Sequence, residues 1–222
     1  KTFVSNIKGL KKNLKIDKQV DPILIVGKDC KRQDIWRTKL FPEYKGTRVQ
    51  DGFMGGPFFK MVYDDKLFTE AGVQAILKHP HLEADDCIAI SVKHILSKYP
   101  LATIYIITSD KDYLQLAEPR IHIYNLAFKK LTDQKSSTND AKCDLFCKIV
   151  MGDPSDNILS VFPKCGPKTA LKYFNDNQLF QSKLNSSPDF QKKYQLNSTL
   201  VDFNNIPQEL VDEFMNATFT KK

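Results

Sequence analysis

Cysteine is scarce: five residues in 222, at Cys30, Cys87, Cys143, Cys147 and Cys165, with no CxxC pair. An odd count at these spacings argues against a disulfide framework and offers no zinc site. Cys143 and Cys147, four apart on an expected helix, read as small buried thiols, and a reducing intracellular compartment is expected. Long apolar runs are missing too, and no signal peptide is seen, so no membrane partner is expected. There is no glycine-rich phosphate loop of the P-loop kind, no arrangement for Ser-His-Asp catalysis, and no His/Cys set spaced for a metal. His79 and His81, flanking Pro80, read as a solvated loop pair. Internal repeats and low-complexity tracts are absent. The chain starts at Lys1 rather than methionine, which is expected of a fragment or the ordered part of a longer protein.

What is present is ordinary in bulk and uneven in charge. With 41% apolar residues, one tryptophan and 222 residues, the chain can bury one good core plus a small helical appendage. Lys and Arg outnumber Asp and Glu by 33 to 26, a net charge of +7. That balance suits a polyanionic partner such as nucleic acid, although solubility alone would explain it equally well. Lysines are spread along the chain, whereas several acids sit in tight clusters.

Phe3, Ile7, Leu10 and Leu14 predict a helix over residues 1–16. Pro22 to Gly27 and Ala102 to Ile107 are short, wholly apolar runs that read as strands covered on both faces, and Ile121 to Tyr124 is a weaker third. Between them Cys87, Ile88, Ile90, Ile95 and Leu96 give 84–99 a helical period ended by Pro100. The alternation predicts an α/β fold with a largely parallel central sheet over residues 1–139. Residues 140–222 read as a helical region, with helices at 140–151, 167–174 and 207–216. Gly52, Gly55, Gly56 and Pro57 read as a flexible stretch.

In parallel α/β sheets, ligands collect beyond the carboxyl ends of the strands. The acids fall there. Asp29 follows the first strand, and Asp110 and Asp112 follow the second. Glu83, Asp85 and Asp86 open the helix between them, and Asp153 and Asp156 follow the helix that begins near residue 140. Acids in a first helical turn complement its dipole, and Asp in a Gly-Asp-Pro-Ser segment is common turn chemistry. Those explanations serve each cluster alone but not their convergence, because so many carboxylates repel without cations between them. Hard oxygen donors select Mg²⁺ or Mn²⁺. Two such ions about 3.5–4 Å apart can activate water and stabilise the leaving oxygen of a phosphodiester.

Four segments occur in an order that resembles the structure-specific 5′ nucleases, the PIN-like family of flap endonucleases, polymerase-associated 5′ nucleases and phage ribonuclease H-type 5′-3′ exonucleases. They are Pro42-Glu43-Tyr44-Lys45-Gly46-Thr47-Arg48, Glu83-Ala84-Asp85-Asp86, Ile107-Thr108-Ser109-Asp110-Lys111-Asp112 and Met151-Gly152-Asp153-Pro154-Ser155-Asp156-Asn157, followed by Gly166-Pro167-Lys168-Thr169-Ala170. The resemblance covers roughly residues 20–175, and Leu200 to Pro207 resembles the phage branch, which makes a viral source an expectation.

The resemblance implies a two-metal nuclease acting on flapped, branched or nicked DNA, with an RNA–DNA hybrid as an alternative substrate, and a monomer. It places Asp29, Glu83, Asp85 and Asp86 at a first metal, directly or through water, and Asp110, Asp112, Asp153 and Asp156 at a second. It casts Lys45 and Arg48 as the catalytic pair on the scissile phosphate, and Tyr44 as a platform on which a terminal base stacks. Residues 158–175 resemble a helix–two-turn–helix in which Lys164, Gly166, Lys168 and Lys172 grip duplex DNA without reading its sequence. K⁺ is often held in that turn, which here is one residue longer and has one of the usual glycines. The family's first metal-binding Asp lies on a strand ahead of the residues given, and Val49 to Lys78 lacks its long basic and aromatic arch. A PIN-like ribonuclease and a DNA-binding scaffold without catalysis are the rival readings.

Overall fold

Two parallel strand pairs wrapped by helices, followed by a run of helices alone, follow from the change of sequence period along the chain. The computed structural model describes residues 2–48, 55–64 and 66–220. The first period yields α1 (Thr2–Lys8) and α2 (Leu10–Asn13), parted at Gly9 instead of running on to residue 16. Then come β1 (Ile25–Gly27), α3 (Trp36–Leu40), α4 (Gly55–Asp64), α5 (Leu67–Glu70), β2 (Ala75–Leu77), α6 (Ala84–Lys98), β3 (Ile104–Ile107) and β4 (Ile121–Tyr124). Helices α7 (Ala141–Met151), α8 (Pro167–Asn175), α9 (Asn177–Asn185), α10 (Pro188–Val201) and α11 (Gln208–Phe219) complete it. Among the described residues no helix is long and apolar enough to cross a membrane.

β1 pairs in parallel with β2, Val26 opposite Ile76, and β3 pairs in parallel with β4, Ile106 opposite Ile123. The parallel α/β layer is as expected; among the described residues its four strands form two pairs. One core unites them. Leu82, Cys87, Ala89 and Ile90 at α6 meet Leu77 of the first pair and Ile106, Ile121 and Ile123 of the second, and Phe214 of α11 closes the same cluster.

Several elements differ from expectation. β1 is shorter than its apolar run because Ile23 is 73% exposed and unpaired in the ladder. β2, three residues long with Ile76 half-exposed, is too short to show a period. Gly55, Gly56 and Pro57 start α4 instead of a loop, a place where proline is tolerated; Gly52 lies outside the described residues. Helices α9 and α10 carry few apolar residues, but their starts are written as caps. The Asp176 carboxylate accepts from Leu179 N–H at 2.9 Å, and Ser187 precedes Pro188.

The elements are locked together by one buried cation. Arg37 of α3 is 2% exposed. Its guanidinium donates to Asp86 through both terminal nitrogens at 2.8 Å, to Glu83 at 3.0 Å, and through Nε to Leu200 C=O at 2.7 Å. Asp86 also accepts from Trp36 Nε1 at 3.0 Å. Helices α3, α6 and α10 therefore meet at a single side chain. Replacing it leaves the buried Asp86 carboxylate without a cation and takes one of two from Glu83. Arg37→Met should cost about 3–5 kcal/mol, and adding Asp86→Leu should recover part of the loss. Urea unfolding of the two variants checks this; an unchanged midpoint for Arg37→Met would show that the clamp is not structural.

Candidate active site

The site is assembled from loops and helix starts whose positions are set by backbone constraints. Gly27 ends β1 where a Cβ would lie 2.8 Å from the Ala84 carbonyl, so only glycine lets the strand reach the start of α6. Asp29, two residues on, accepts from Ala84 N–H at 2.8 Å. At Gly152, with φ +73°, a Cβ would fall 2.4 Å from Ile158 C=O. That turn sends Asp153 back over the 3₁₀ turn Pro154–Asp156, and Asp153 and Ile158 exchange backbone hydrogen bonds at 2.8 Å.

Two carboxylate trios result. Ligand atoms of Glu83, Asp85 and Asp86 lie within 4.8 Å of one another, and so do those of Asp112, Asp153 and Asp156. They are stitched together from below. The Tyr44 hydroxyl lies 3.1 Å from Glu83 Oε2 and 3.2 Å from Asp156 Oδ2. Lys45 Nζ pairs with Glu83 Oε1 and lies 4.0 Å from Asp156, while Arg48 pairs with Asp156 Oδ1. Glu83 and Asp156 are buried.

Each expected residue can now be placed. Glu83, Asp85, Asp112, Asp153 and Asp156 are brought together. Asp86 joins its trio, but its oxygens are engaged by Arg37, Trp36 and the Glu83 N–H in a capping box. Asp29 and Asp110 are exposed at the margin, each with one oxygen capping a neighbouring backbone N–H, from Ala84 and Asp112. The turn-chemistry explanation of these acids is therefore true as well. Tyr44 is a correction: its ring is 5% exposed among Ile35, Ile149, Leu200 and Val201, so it supports the site and offers no open face for a base. Lys164, Lys168 and Lys172 are exposed, and Gly166 caps α8 beside an open groove of about 620 Å³ lined by Pro154, Leu159 and Lys164. His79 is buried with Nε2 3.1 Å from Glu213, and His81 Nδ1 faces Asp34 C=O at 2.9 Å. They are structural contacts, not a solvated pair.

Sequence reasoning missed Arg37 and Lys148. Lys148 of α7 lies 2.6 Å from Asp112 Oδ1 and 2.5 Å from Asp153 Oδ2. Its only cue was a lysine on the helix leading into the Asp153 turn.

The electrostatics follow the pairing. Burial, then the charges of Asp86 and Glu83, push the Asp85 carboxyl well above the usual carboxylate range, although the side chain keeps some access to solvent. Burial also raises Asp112, against the pull of Lys148. For Asp153 burial is outweighed by hydrogen bonds from Lys148 and Ser155, and its pKa is lowered. Burial opposes the Lys45 charge, but Glu83 and Asp156 hold the ammonium above the ordinary lysine value. Burial and the Glu83 charge push the Cys30 thiol up to about 12, which removes it as a nucleophile. An oxygen-only, acid-rich centre ringed by cations is suited to divalent metals and phosphates.

This chain belongs to the 5′-3′ exonuclease family. The family profile described as "5′-3′ exonuclease, N-terminal resolvase-like domain" matches residues 2–143, well over half of the chain. The chain is 31% identical over 150 residues to the ribonuclease H of Enterobacteria phage T4, spanning 60% of this chain and 47% of that protein. It is 30% identical over 180 residues to a 5′-3′ exonuclease of Buchnera aphidicola subsp. Schizaphis graminum, 75% of this chain and 58% of the relative. The chain spans about half the length of most of these curated relatives. In fold it resembles the T5 D15 protein co-crystallised with metal ions, with a TM-score of 0.68 at 18% identity, covering 97% of this chain and 90% of the other. The T5 D15 flap endonuclease in a complex with DNA and metal ions superposes equally well, at 19% identity.

A pH dependence follows. An acid with a raised folded pKa holds an extra proton in the native state above its ordinary value of 3.8, so its penalty is relieved as pH falls through the folded pKa. Asp153, lowered, does the opposite: its stabilisation is present above 3.8 and is lost as pH falls through its folded value. Stripped of metal, the protein should therefore gain stability on mild acidification and lose it in stronger acid. Asp85→Asn should raise Tm near neutrality and flatten the first limb. Thermal unfolding in EDTA between about pH 4 and 8 reads this; a lower Tm for Asp85→Asn at neutral pH would contradict it.

Proposed function

We propose that this chain is the core of a divalent-metal-dependent 5′ nuclease that hydrolyses phosphodiesters in flapped, branched or nicked DNA, with an RNA primer strand near the 5′ end as an alternative substrate. The observation that carries this is the pair of carboxylate trios joined across Tyr44 and Lys45. Membership of the 5′-3′ exonuclease family supports the reaction class, and the ribonuclease H relative supports the RNA alternative.

In this reading Glu83 and Asp85, with Asp29 at the rim and Asp86 behind them, would hold one Mg²⁺ or Mn²⁺. Asp112, Asp153 and Asp156, with Asp110 at the rim, would hold the other. All donors are oxygen, which fits those ions. Bound there, they would supply an activated water and a counter-charge for the leaving oxygen. Lys45 sits between the trios and Arg48 against Asp156 of the second, where exchange of a carboxylate partner for a phosphate would bring their charge to the developing transition state. Tyr44 bridges Glu83 and Asp156 through its hydroxyl.

Residues 140–222 would form the duplex-binding part, packed on a nuclease core of 1–139. Lys164, Lys168 and Lys172 offer charge, and the start of α8 after Gly166 offers backbone N–H groups to a phosphate. K⁺ in the turn over 160–166 belongs to the same reading, as does action as an intracellular monomer, of viral origin.

Single-turnover cleavage and equilibrium binding on one flap substrate test the proposal. Asp153→Asn should keep binding while the rate falls by about two orders of magnitude or more, since the leaving oxygen loses its counter-charge. Lys45→Ala should also cost rate with little loss of affinity. A scaffold without catalysis predicts no Mg²⁺-dependent cleavage and a Lys45 effect confined to affinity. For the helical part, Lys164→Ala with Lys168→Ala should flatten the salt dependence of duplex binding by roughly one unit per lost phosphate contact. An unchanged salt slope would remove these lysines from the interface.

A further inference from the structure

Lys148 reaches from α7 into the second trio and bridges two of its three acids, at 2.6 Å from Asp112 Oδ1 and 2.5 Å from Asp153 Oδ2. The fit is electrostatic more than geometric. Asp112 Oδ1 is buried and receives no directed hydrogen bond, so the ammonium neutralises this oxygen without satisfying it. Asp156, the third acid, is paired with Arg48 and lies apart from Lys148. A divalent ion sits about 2.0–2.6 Å from its oxygen ligands. It could not share Asp112 Oδ1 and Asp153 Oδ2 with an ammonium already in contact with both, because the two cations would be pressed together. The side chain is 24% exposed, so its flexible stem has a way out toward solvent.

We propose that Lys148 is a resident counter-ion of the Asp112–Asp153–Asp156 trio, one that a divalent ion must displace on binding. The proposal rests on the reading of this trio as a metal site. Lys148 keeps the acids assembled when metal is absent, and it weakens metal affinity by competing for the same oxygens. Once displaced, its charge is freed beside the place where a phosphate would lie. Metal loading and phosphate binding would then be coupled through one side chain.

Mn²⁺ binding to the EDTA-stripped protein, followed by the EPR signal of free Mn²⁺ and by calorimetry, tests this without any cleavage assay. The relevant site is the one abolished by Asp153→Asn. At that site Lys148→Met should bind Mn²⁺ about tenfold tighter or more, as expected when a partly buried ion-pair competitor is removed. Lys142→Met, the same charge change at an exposed position of the same helix, should leave the affinity unchanged. Metal-free Lys148→Met should also melt lower and gain more Tm on adding Mn²⁺. Should that variant not fold without metal, Lys148→Gln removes the charge but keeps a polar end group and serves in its place. Equal or weaker binding in the Lys148 variants, with the Asp153-dependent site intact, would overturn the proposal and leave the metal-site reading standing. If Asp153→Asn binds Mn²⁺ as wild type does, the trio is not a metal site and both readings fall.

Discussion

Arg37 leaves a five-residue helix and enters the space where the start of α6 and the end of α10 meet, with almost no access to water. A guanidinium in such a place is costly unless every donor finds an acceptor. Here two carboxylates and a backbone carbonyl accept four hydrogen bonds from it, while Trp36 stacks on its face at 4.5 Å. The carboxylates belong to the same helical turn that presents Asp85 outward. The buried face of the turn is thus spent on structure, and its geometry fixes the exposed face. Without Arg37, Asp86 would be a buried charge with no cation beside a Glu83 held by Lys45 and Tyr44 alone, and the first trio would lose the contact that fixes its shape.

The same logic runs outward in layers. Asp86 and Glu83 are balanced by Arg37, Glu83 and Asp156 by Lys45, Asp156 by Arg48, and Asp112 and Asp153 by Lys148. Five of the six trio acids are paired with a protein cation that offsets their mutual repulsion, while Asp85 accepts instead from the Asp86 N–H. The deeper the cation, the more permanent its role. Arg37 is sealed and cannot leave, whereas Arg48, with half of its side chain exposed, holds its carboxylate through a pair that costs little to break. Depth separates the sealed cation from the exposed ones here better than residue type does.

Much of this was legible in the sequence. The apolar runs ending at Gly27 and Ile107, and the helical period from Cys87 to Leu96, located the layer and the end of it where the acids gather. The ordered motifs then named the acids themselves. What was not legible had physical reasons. Arg37 looks like any surface arginine until α10, some 160 residues later in the chain, supplies the Leu200 carbonyl; no local period encodes that partner. Tyr44 follows Pro42 in what reads as an open basic turn, and only the packing of Ile149, Leu200 and Val201 shows that its ring is buried. Helices α9 and α10 are held by Phe180, Leu184, Phe190, Tyr194, Leu200 and Val201 among many polar residues, so their caps were the better cue.

The acids also show why single-role reasoning fails at such a site. Asp29, Asp110 and Asp153 each use one oxygen to cap a backbone N–H, which is what an ordinary turn aspartate does. That bond leaves the second oxygen to point elsewhere, and it fixes the carboxylate's rotation at the same time. Asp153 shows the consequence most clearly. Oδ1 holds Ser155 N–H at 2.8 Å and the Ser155 hydroxyl at 2.7 Å, while Oδ2 is aimed at Lys148. Gly152, the residue before it, is confined to a backbone conformation and a gap that admit no side chain. The turn residues that a sequence reader would discount as punctuation are therefore the parts that aim the carboxylate oxygens. A divalent cation bound there would meet oxygens already oriented by the fold, so little ordering would remain to be done on its arrival.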